Sequence, residues 1–123
     1  MILADTSVWV DHLRAGDPAL VGLLHEGRVL GHPWIVAEIA LGSLRDRQTV
    51  LSLLDGLPQA PVATIDELRH LIERRTLFGR GVGLVGVGLL AACLLVPECR
   101  LWSRDKRLAA VAEEMTVSFS PRS

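Results

Sequence analysis

One stretch of the chain, residues 81–97, contains no charged side chain and lies between Arg80 and Glu98. Its seventeen residues reach only the lower limit for a helix that crosses a bilayer. Four glycines occupy its first half, so the strongly apolar part is roughly a dozen residues long, which is the length of a buried helix. We therefore predict a core helix over 84–95 and no association with a membrane.

The glycines of this stretch also match the G-x-G-x-x-G pattern of dinucleotide-binding proteins at Gly81, Gly83 and Gly86. Asp105 lies nineteen residues after Gly86, close to where a ribose-binding acid is expected. The motif requires a strand immediately before it, but the apolar residues of 66–80 have helical spacing. A Rossmann-type nucleotide-binding protein is therefore an alternative that lacks the strand on which its motif depends.

Short apolar segments alternate with helical patterns along the whole chain. Asp17 precedes a proline as an N-cap residue should, and Thr64 and Glu67 have capping-box spacing. The alternation predicts an α/β domain whose parallel sheet is covered on both faces. The predicted strands are 1–4, 28–31, 60–64, 100–103 and 116–119. The predicted helices are 6–16, 17–27, 32–42, 46–56, 64–79, 84–95 and 106–114.

The amino-terminal segment and the cysteines bear on the cellular compartment. The opening MILADTSVWV has no basic segment and contains an aspartate at its fifth position, which is not the pattern of a secretory signal peptide. Cys93 and Cys99 lie six residues apart and do not form a C-x-x-C motif. We therefore expect reduced thiols and a cytoplasmic protein.

The net charge of −1 is unevenly distributed along the chain. Residues 69–107 carry eight basic and three acidic side chains, whereas the other residues carry five basic and eleven acidic ones. Such an asymmetry suits a polyanionic partner or an oppositely charged protein, and it is equally compatible with an ordinary solvated surface.

Three acidic side chains stand out from their surroundings. Asp5 and Asp105 closely follow predicted strands, and Glu38 is the one charge in the apolar helix WIVAEIALG. Parallel strands end at the same edge of a sheet, where Glu38 could reach in from a flanking helix. Carboxylates without a histidine partner suit Mg²⁺ or Mn²⁺ rather than zinc, whereas N-capping by Asp5 and Asp105 is the structural alternative. The four histidines lack metal-ligand spacing and are expected at surfaces or helix ends: His12, His25, His32 and His70.

Four segments resemble, in this order, the motifs of PIN-domain ribonucleases, specifically the VapC toxins of bacterial toxin–antitoxin pairs: MILADTSVWVDHLR, WIVAEIALGS, FGRGVGLVGVGLLAA and RLWSRDKRLAA. The resemblance implies a single PIN domain over residues 1–123, with a three-layer α/β/α fold and carboxylates that bind Mg²⁺ or Mn²⁺ to hydrolyse RNA. It implies that Asp5, Glu38 and Asp105 are catalytic residues and the first, second and fourth metal ligands. Thr6 or Ser7 would supply a supporting hydroxyl.

The third acid of the family pattern is missing. Family members usually have V-D-x-x-L-L where this chain has VGVGLL. The aspartate position therefore falls on Gly86, and a position often occupied by histidine or asparagine falls on Gly88. A glycine inside a helix costs about 1 kcal/mol relative to alanine, so each needs a reason such as close packing or a lost side chain. The resemblance thus implies an impaired metal site at Gly86.

Two functional alternatives follow from the resemblance. The chain is either a metal-dependent endoribonuclease toxin with a damaged site or a catalytically inactive PIN-like module that binds RNA or its antitoxin. The family also implies a homodimer and a small antitoxin, whose helix or tail we expect to lie across the cleft of Asp5, Glu38 and Asp105. That cleft would attract an arginine or lysine. Trp9 and Trp34 are candidate apolar anchors beside it or, alternatively, core residues.

Overall fold

The computed structural model describes residues 1–121, which form three strands and seven helices. The strands are β1 (Ile2–Ala4), β2 (Val29–Leu30) and β3 (Arg100–Trp102). The helices are α1 (Thr6–Ala15), α2 (Pro18–His25), α3 (Pro33–Ala40), α4 (Arg47–Asp55), α5 (Ile65–Arg75), α6 (Leu84–Leu95) and α7 (Lys106–Glu114).

The three strands form one parallel sheet in the order β2–β1–β3. Ile2 in the central strand pairs with Val29, and Ala4 pairs with Trp102. Successive side chains of a strand point to opposite faces, and all three residues of β1 are buried. Both faces of the sheet are therefore covered by other elements, as expected for parallel strands. The predicted α/β fold with a short parallel sheet flanked by helices is confirmed.

The strand predicted over 60–64 is wrong. The chain pairs near this segment only through an isolated bridge between Gly31 and Gln59. Pro61 has no N–H to donate to a neighbouring strand, and its side chain is exposed. Thr64 already serves as the N-cap of α5, so too few residues remain for a strand.

The strand predicted over 116–119 is also wrong. Leu101 forms a single bridge with Ser118, through hydrogen bonds from Leu101 N to Val117 O (2.6 Å) and from Phe119 N to Leu101 O (2.8 Å). Thr116 has a left-handed backbone with a φ of 59°, so extended pairing cannot begin before it. The carboxyl-terminal segment therefore pairs with the backbone of β3 at Leu101 only.

The helix predictions agree with the structure to within about one turn, because the capping signals are realised. The Asp17 side chain accepts a hydrogen bond from Leu20 N at the start of α2, and Thr64 and Glu67 form a capping box at the start of α5. The exception is the end of α5, which stops at Arg75 rather than at residue 79. Thr76 there adopts a left-handed backbone that ends the helix.

Helix α6 has the predicted bounds, and its residues from Val87 to Cys93 are buried. An irregular segment and α5 precede it, so the glycine motif lacks the strand that a dinucleotide site requires. Close packing explains Gly88, since a Cβ there would lie 2.8 Å from Cε3 of Trp34. Within residues 1–121, no helix is both long and apolar enough to cross a membrane.

Candidate active site

A pocket of about 410 Å³ opens at the carboxyl ends of β1 and β3. The structure brings all three predicted carboxylates, Asp5, Glu38 and Asp105, to the lining of this pocket. Gly86 in the first turn of α6 completes the set of positions expected from the sequence. Four separate elements of the chain thus meet at one concave surface.

Asp5 is buried and directly follows β1. Its Oδ1 accepts hydrogen bonds from Ser7 N (3.0 Å), Val8 N (3.4 Å) and the Ser7 hydroxyl. Its Oδ2 accepts a hydrogen bond from the Ser103 hydroxyl (2.5 Å). The capping alternative is therefore realised at Asp5, and donors on both oxygens fix the orientation of the carboxylate.

Ser103 is the site residue that the sequence prediction missed. Its hydroxyl donates to Asp5 and accepts a hydrogen bond from Asp105 N (3.0 Å), so one side chain links two of the predicted acids. Ser7 has a parallel role, since its hydroxyl accepts a hydrogen bond from Arg104 N (3.0 Å). The available signal was a polar residue directly after a strand and two residues before an acid.

Glu38 lies on the exposed side of α3, although it is the one charge in the apolar segment WIVAEIALG. The helix has apolar residues on its buried face, where Ile35 and Ile39 pack, and Glu38 points away from them. Its Oε1 accepts a hydrogen bond from Oγ1 of Thr6 (2.6 Å). Thr6 therefore supplies a supporting hydroxyl to Glu38, while Ser7 supplies one to Asp5.

Asp105 is exposed and caps α7. Its Oδ1 accepts hydrogen bonds from Arg107 N (2.9 Å) and Leu108 N (3.2 Å). Its Oδ2 has no donor within the described residues 1–121. One oxygen of the carboxylate therefore caps the helix, and the other accepts no hydrogen bond from the described residues.

Gly86 lies where the resemblance places the missing acid. A Cβ at this position would lie 3.1 Å from Cγ1 of Val82 and 3.2 Å from Cδ1 of Leu108. Those contacts are tight, but the neighbouring atoms are methyl groups that can give by a few tenths of an ångström. No side chain caps the helix at Gly83, so the first turn of α6 faces the pocket without a capping group.

The carboxylates of the pocket suit a hard divalent cation in their chemistry, but they do not form a closed set of ligands. Mg²⁺ prefers carboxylate oxygens, is bound through one or two carboxylates and keeps several waters. Across residues 1–121, no three acidic, histidine or cysteine side chains converge closely enough to form a metal-binding cluster. The carboxylates present therefore fit a hydrated cation held by one or two of them, rather than a closed shell of protein ligands.

Arg104 anchors the loop that carries the pocket residues of the β3 end. Its guanidinium forms ion pairs with Asp11 (2.5 Å) and with Asp17, and it lies 5.7 Å from the ring centre of Trp102. Burial would raise the pKa of Asp17, but the hydrogen bond from Leu20 N and the Arg104 ion pair hold that pKa below its usual value. The loop is thereby tied to the middle of α1 and to the start of α2.

The aromatic residues near the pocket differ from the expected groove anchors. Trp9 belongs to the core, with 4% of its surface exposed, so the core alternative is correct for it and the anchor alternative is wrong. Trp34 is half-buried and packs against Gly88. His32 caps α3 as a helix-end residue but is buried, and burial lowers its pKa.

The chain is similar to curated proteins of one name. Two relatives are each called Ribonuclease VapC32, from Mycobacterium tuberculosis strains CDC 1551 / Oshkosh and ATCC 25618 / H37Rv. Each is 50% identical to the chain over 120 residues, which cover 98% of this chain and 97% of the relative. No protein-family model matches the chain.

Proposed function

The chain belongs to the VapC-type PIN-domain ribonucleases, and from that premise we propose that it is the toxin of a type II toxin–antitoxin pair. It would hydrolyse RNA phosphodiester bonds in the cytoplasm at the pocket of Asp5, Glu38 and Asp105. The observation that carries this proposal is the buried Asp5 carboxylate, which Ser7 and Ser103 hold in one orientation at the pocket wall.

The pocket residues divide into ligands and supports. We propose that Asp5, Glu38 and Asp105 hold Mg²⁺ or Mn²⁺ directly or through water. A bound divalent cation supplies polarisation of a phosphoryl oxygen and a lower pKa for a coordinated water. Thr6 orients Glu38, and the serine hydroxyls orient Asp5, so that these carboxylates need little rearrangement when a cation arrives.

We propose that the site is impaired because Gly86 provides no oxygen. Mg²⁺ affinity rises with the number of anionic ligands, and a water in place of a carboxylate brings no charge. Methyl groups of Val82, before α6, and of Leu108, in α7, lie nearest to position 86 instead. Weak cation binding and slow RNA cleavage are the expected consequences.

Basic side chains beside the pocket suit a phosphate backbone. Lys106 and Arg107 follow Asp105 directly, and both are exposed. The Arg107 side chain lies across Gly81, whose left-handed φ of 76° turns the chain toward α6. RNA lying over the pocket would therefore meet positive charge on the rim and negative charge inside, where a cation can bridge the two.

The test is cleavage of a mixed cellular RNA by the purified chain with Mg²⁺ or Mn²⁺, with EDTA as the control. We expect slow cleavage that requires the metal and that Asp5→Asn abolishes. Cleavage that persists in EDTA, or that Asp5→Asn leaves unchanged, would contradict the proposed reaction.

The second candidate is a catalytically inactive module that binds RNA or the antitoxin. The absence of a three-ligand metal cluster within residues 1–121 and the glycine at position 86 favour it. It predicts RNA binding whose affinity falls with added salt and that is never followed by cleavage at any metal concentration. A metal titration of cleavage therefore separates the two candidates.

We propose that the antitoxin docks in a groove of about 590 Å³ between α1, α3 and the start of α4. Val10 and Leu13 are exposed there, and Glu38 belongs to both this groove and the pocket. A helix lying in the groove could therefore extend an arginine or lysine toward Glu38. Co-expression with the small protein encoded by an adjacent gene should yield a complex that Leu13→Glu weakens. A complex that Leu13→Glu leaves unchanged would contradict this surface.

A homodimer remains a family-based proposal, and we propose the groove between α5 and α6 as its surface. Asp66 and Glu67 lie at one end of α5, and Arg74 and Arg75 lie at the other. Two copies related by a twofold axis would place opposite charges together along antiparallel α5 helices. Sedimentation should give a dimer that charge reversal at Arg74 and Arg75 disrupts, and an unaffected dimer would exclude this surface.

A further inference from the structure

Two cysteine sulfurs are in contact near the end of α6 that lies away from the pocket. Cys93 is in the last turns of α6, and Cys99 lies immediately before β3. Their Sγ atoms are 3.3 Å apart, and each residue is 3% exposed. Both are free thiols, and they are the two cysteines of the chain. Neither lines the pocket, so the proposed reaction gives them no role.

A tight turn brings the two thiols together. Cys99 N donates a hydrogen bond to Val96 O (3.2 Å), which closes a four-residue turn. Pro97 occupies the second position, and Glu98 occupies the third with a left-handed φ of 60°, as in a type II turn. Glycine is favoured at that third position, so the packing of α6 against β3 must hold Glu98 in this conformation. The thiols therefore face each other as a fixed feature of the fold.

The two thiols differ in acidity. The hydrogen bond with Cys93 lowers the pKa of Cys99, burial opposes this, and the positive amino terminus lowers it further. The amino terminus lies close by, since its nitrogen is 3.5 Å from Glu98 O. The hydrogen bond with Cys99 and burial raise the pKa of Cys93. The direction of these pKa shifts favours the thiolate at Cys99, and the contact of the two sulfurs places Cys93 where it can resolve an oxidised Cys99.

We propose that Cys93 and Cys99 are a redox modification site at which hydrogen peroxide forms an intramolecular disulfide. The Cys99 thiolate attacks one peroxide oxygen, the O–O bond breaks, and the hydroxide released takes up the proton that Cys99 lost. The Cys93 sulfur then attacks the sulfenic sulfur of Cys99, the S–O bond breaks, and the hydroxide leaves as water with the Cys93 proton. Two thiols and one peroxide give one disulfide and two waters.

The geometry needs little change for this bond. A disulfide has sulfurs about 2.05 Å apart, so the two Sγ atoms must approach by about 1.3 Å. The product would tie the end of α6 to the residue before β3. Burial makes both formation in the native state and reduction in the native state slow. Because the cross-link restricts the unfolded chain, the oxidised protein should be more resistant to unfolding than the reduced protein.

The test uses the full reduced chain treated with hydrogen peroxide, quenched with catalase, denatured and alkylated. Trypsin cleaves after Arg80 and Arg100, so both cysteines fall in one peptide, 81–100. We expect this peptide to lose two hydrogen atoms, to resist alkylation and to recover both thiols with dithiothreitol. Tm of the oxidised chain should rise by about 5 °C.

Cys93→Ser and Cys99→Ser are the matched controls, and neither should show the loss of two hydrogens or the rise in Tm. A wild-type peptide that is alkylated twice after peroxide treatment would overturn the proposal. A peptide that gains oxygen atoms without losing hydrogens would also overturn it. The readouts do not depend on RNA cleavage, so they stand or fall separately from the proposed function.

Discussion

The first two turns of α6 face two regions of opposite character. Gly86 faces the pocket, where carboxylates and hydroxyls form hydrogen bonds around an open space. Gly88 faces Trp34, whose ring fills the place that a side chain would need. A Cβ at Gly88 would lie 2.8 Å from Cε3 of Trp34, whereas a Cβ at Gly86 would be at least 3.1 Å from its nearest neighbours. Two glycines that look alike in sequence thus have different causes.

The difference separates a structural requirement from a chemical loss. At Gly88 the packing of α3 on α6 requires a residue without a side chain, because the ring carbons of Trp34 cannot move as freely as a methyl group. At Gly86 nothing in the packing forbids a carboxylate, and the third residue of a helix favours an acidic side chain. The pocket therefore lacks a group that the fold could accommodate.

Substitution of each glycine by aspartate should show the largest difference, because only Gly88 is required by packing. Gly88→Asp should lower the free energy of unfolding by about 3 kcal/mol, because it overpacks Trp34 and buries a carboxylate without a partner. Gly86→Asp should change it by less than about 1 kcal/mol, because the helix dipole offsets mild crowding. Urea unfolding of both variants measures this, with Trp34→Ala as a partial rescue of the first. Equal destabilisation by the two variants would contradict the comparison.

The free energy of unfolding should depend on pH through His32, which lies beside Trp34 on the packed side of α6. His32 is 1% exposed, its Nδ1 accepts a hydrogen bond from Trp34 N (3.0 Å), and its Nε2 has no partner within residues 1–121. Burial lowers its pKa below the usual 6.5, so the unfolded chain takes up a proton first as pH falls. Stability should be complete above pH 6.5 and decline below it, at up to about 1.4 kcal/mol per pH unit.

His32→Asn is the matched control, since asparagine can also cap α3 but does not titrate. Urea unfolding between pH 7.5 and 5 should show a shallower decline in this variant than in the wild type. An identical decline in both proteins would mean that His32 is not the group that titrates.

A smaller effect should distinguish the two hydroxyl supports on the pocket side. Ser103→Ala removes the donor to Asp5 Oδ2 and should cost about 1 kcal/mol, because that oxygen then has no protein donor. Ser7→Ala should cost less, because Oδ1 keeps the amides of Ser7 and Val8. Thermal unfolding of the two variants makes the comparison. A greater loss of stability in Ser7→Ala than in Ser103→Ala would show that the Ser7 hydroxyl is the more important support of Asp5.

The helices and the ends of β1 and β3 could be predicted from the sequence, because caps, prolines and glycines act locally. The strands predicted at 60–64 and 116–119 are wrong, since strand pairing depends on neighbours that are distant in sequence. Asp5 and Asp105 were expected together because an acid that closely follows an apolar strand is unusual, and both line the pocket. Ser103 was missed because a serine near a strand end has many ordinary explanations, and its partner Asp5 is 98 residues away.

The two glycines of α6 could not be separated from sequence for the same reason. The fold must bring Trp34 from α3 to Gly88, and Val82 and Leu108 to Gly86, before their spaces differ. The exposure of Glu38 likewise depended on which face of α3 turned inward. The sequence left open whether Trp9 is an anchor or a core residue, and its burial in the structure decides for the core.

Calorimetric titration of Mg²⁺ into wild type and Gly86→Asp, with RNA cleavage measured on the same samples, tests whether position 86 is a vacant ligand position. We expect Gly86→Asp to bind Mg²⁺ at least about tenfold more tightly, equivalent to about 1.4 kcal/mol, and to cleave RNA faster. Asp5→Asn in the Gly86→Asp background should remove both gains, and EDTA should abolish cleavage. If folded Gly86→Asp keeps the wild-type Mg²⁺ affinity and cleavage rate, the claim that position 86 is a vacant ligand position is contradicted.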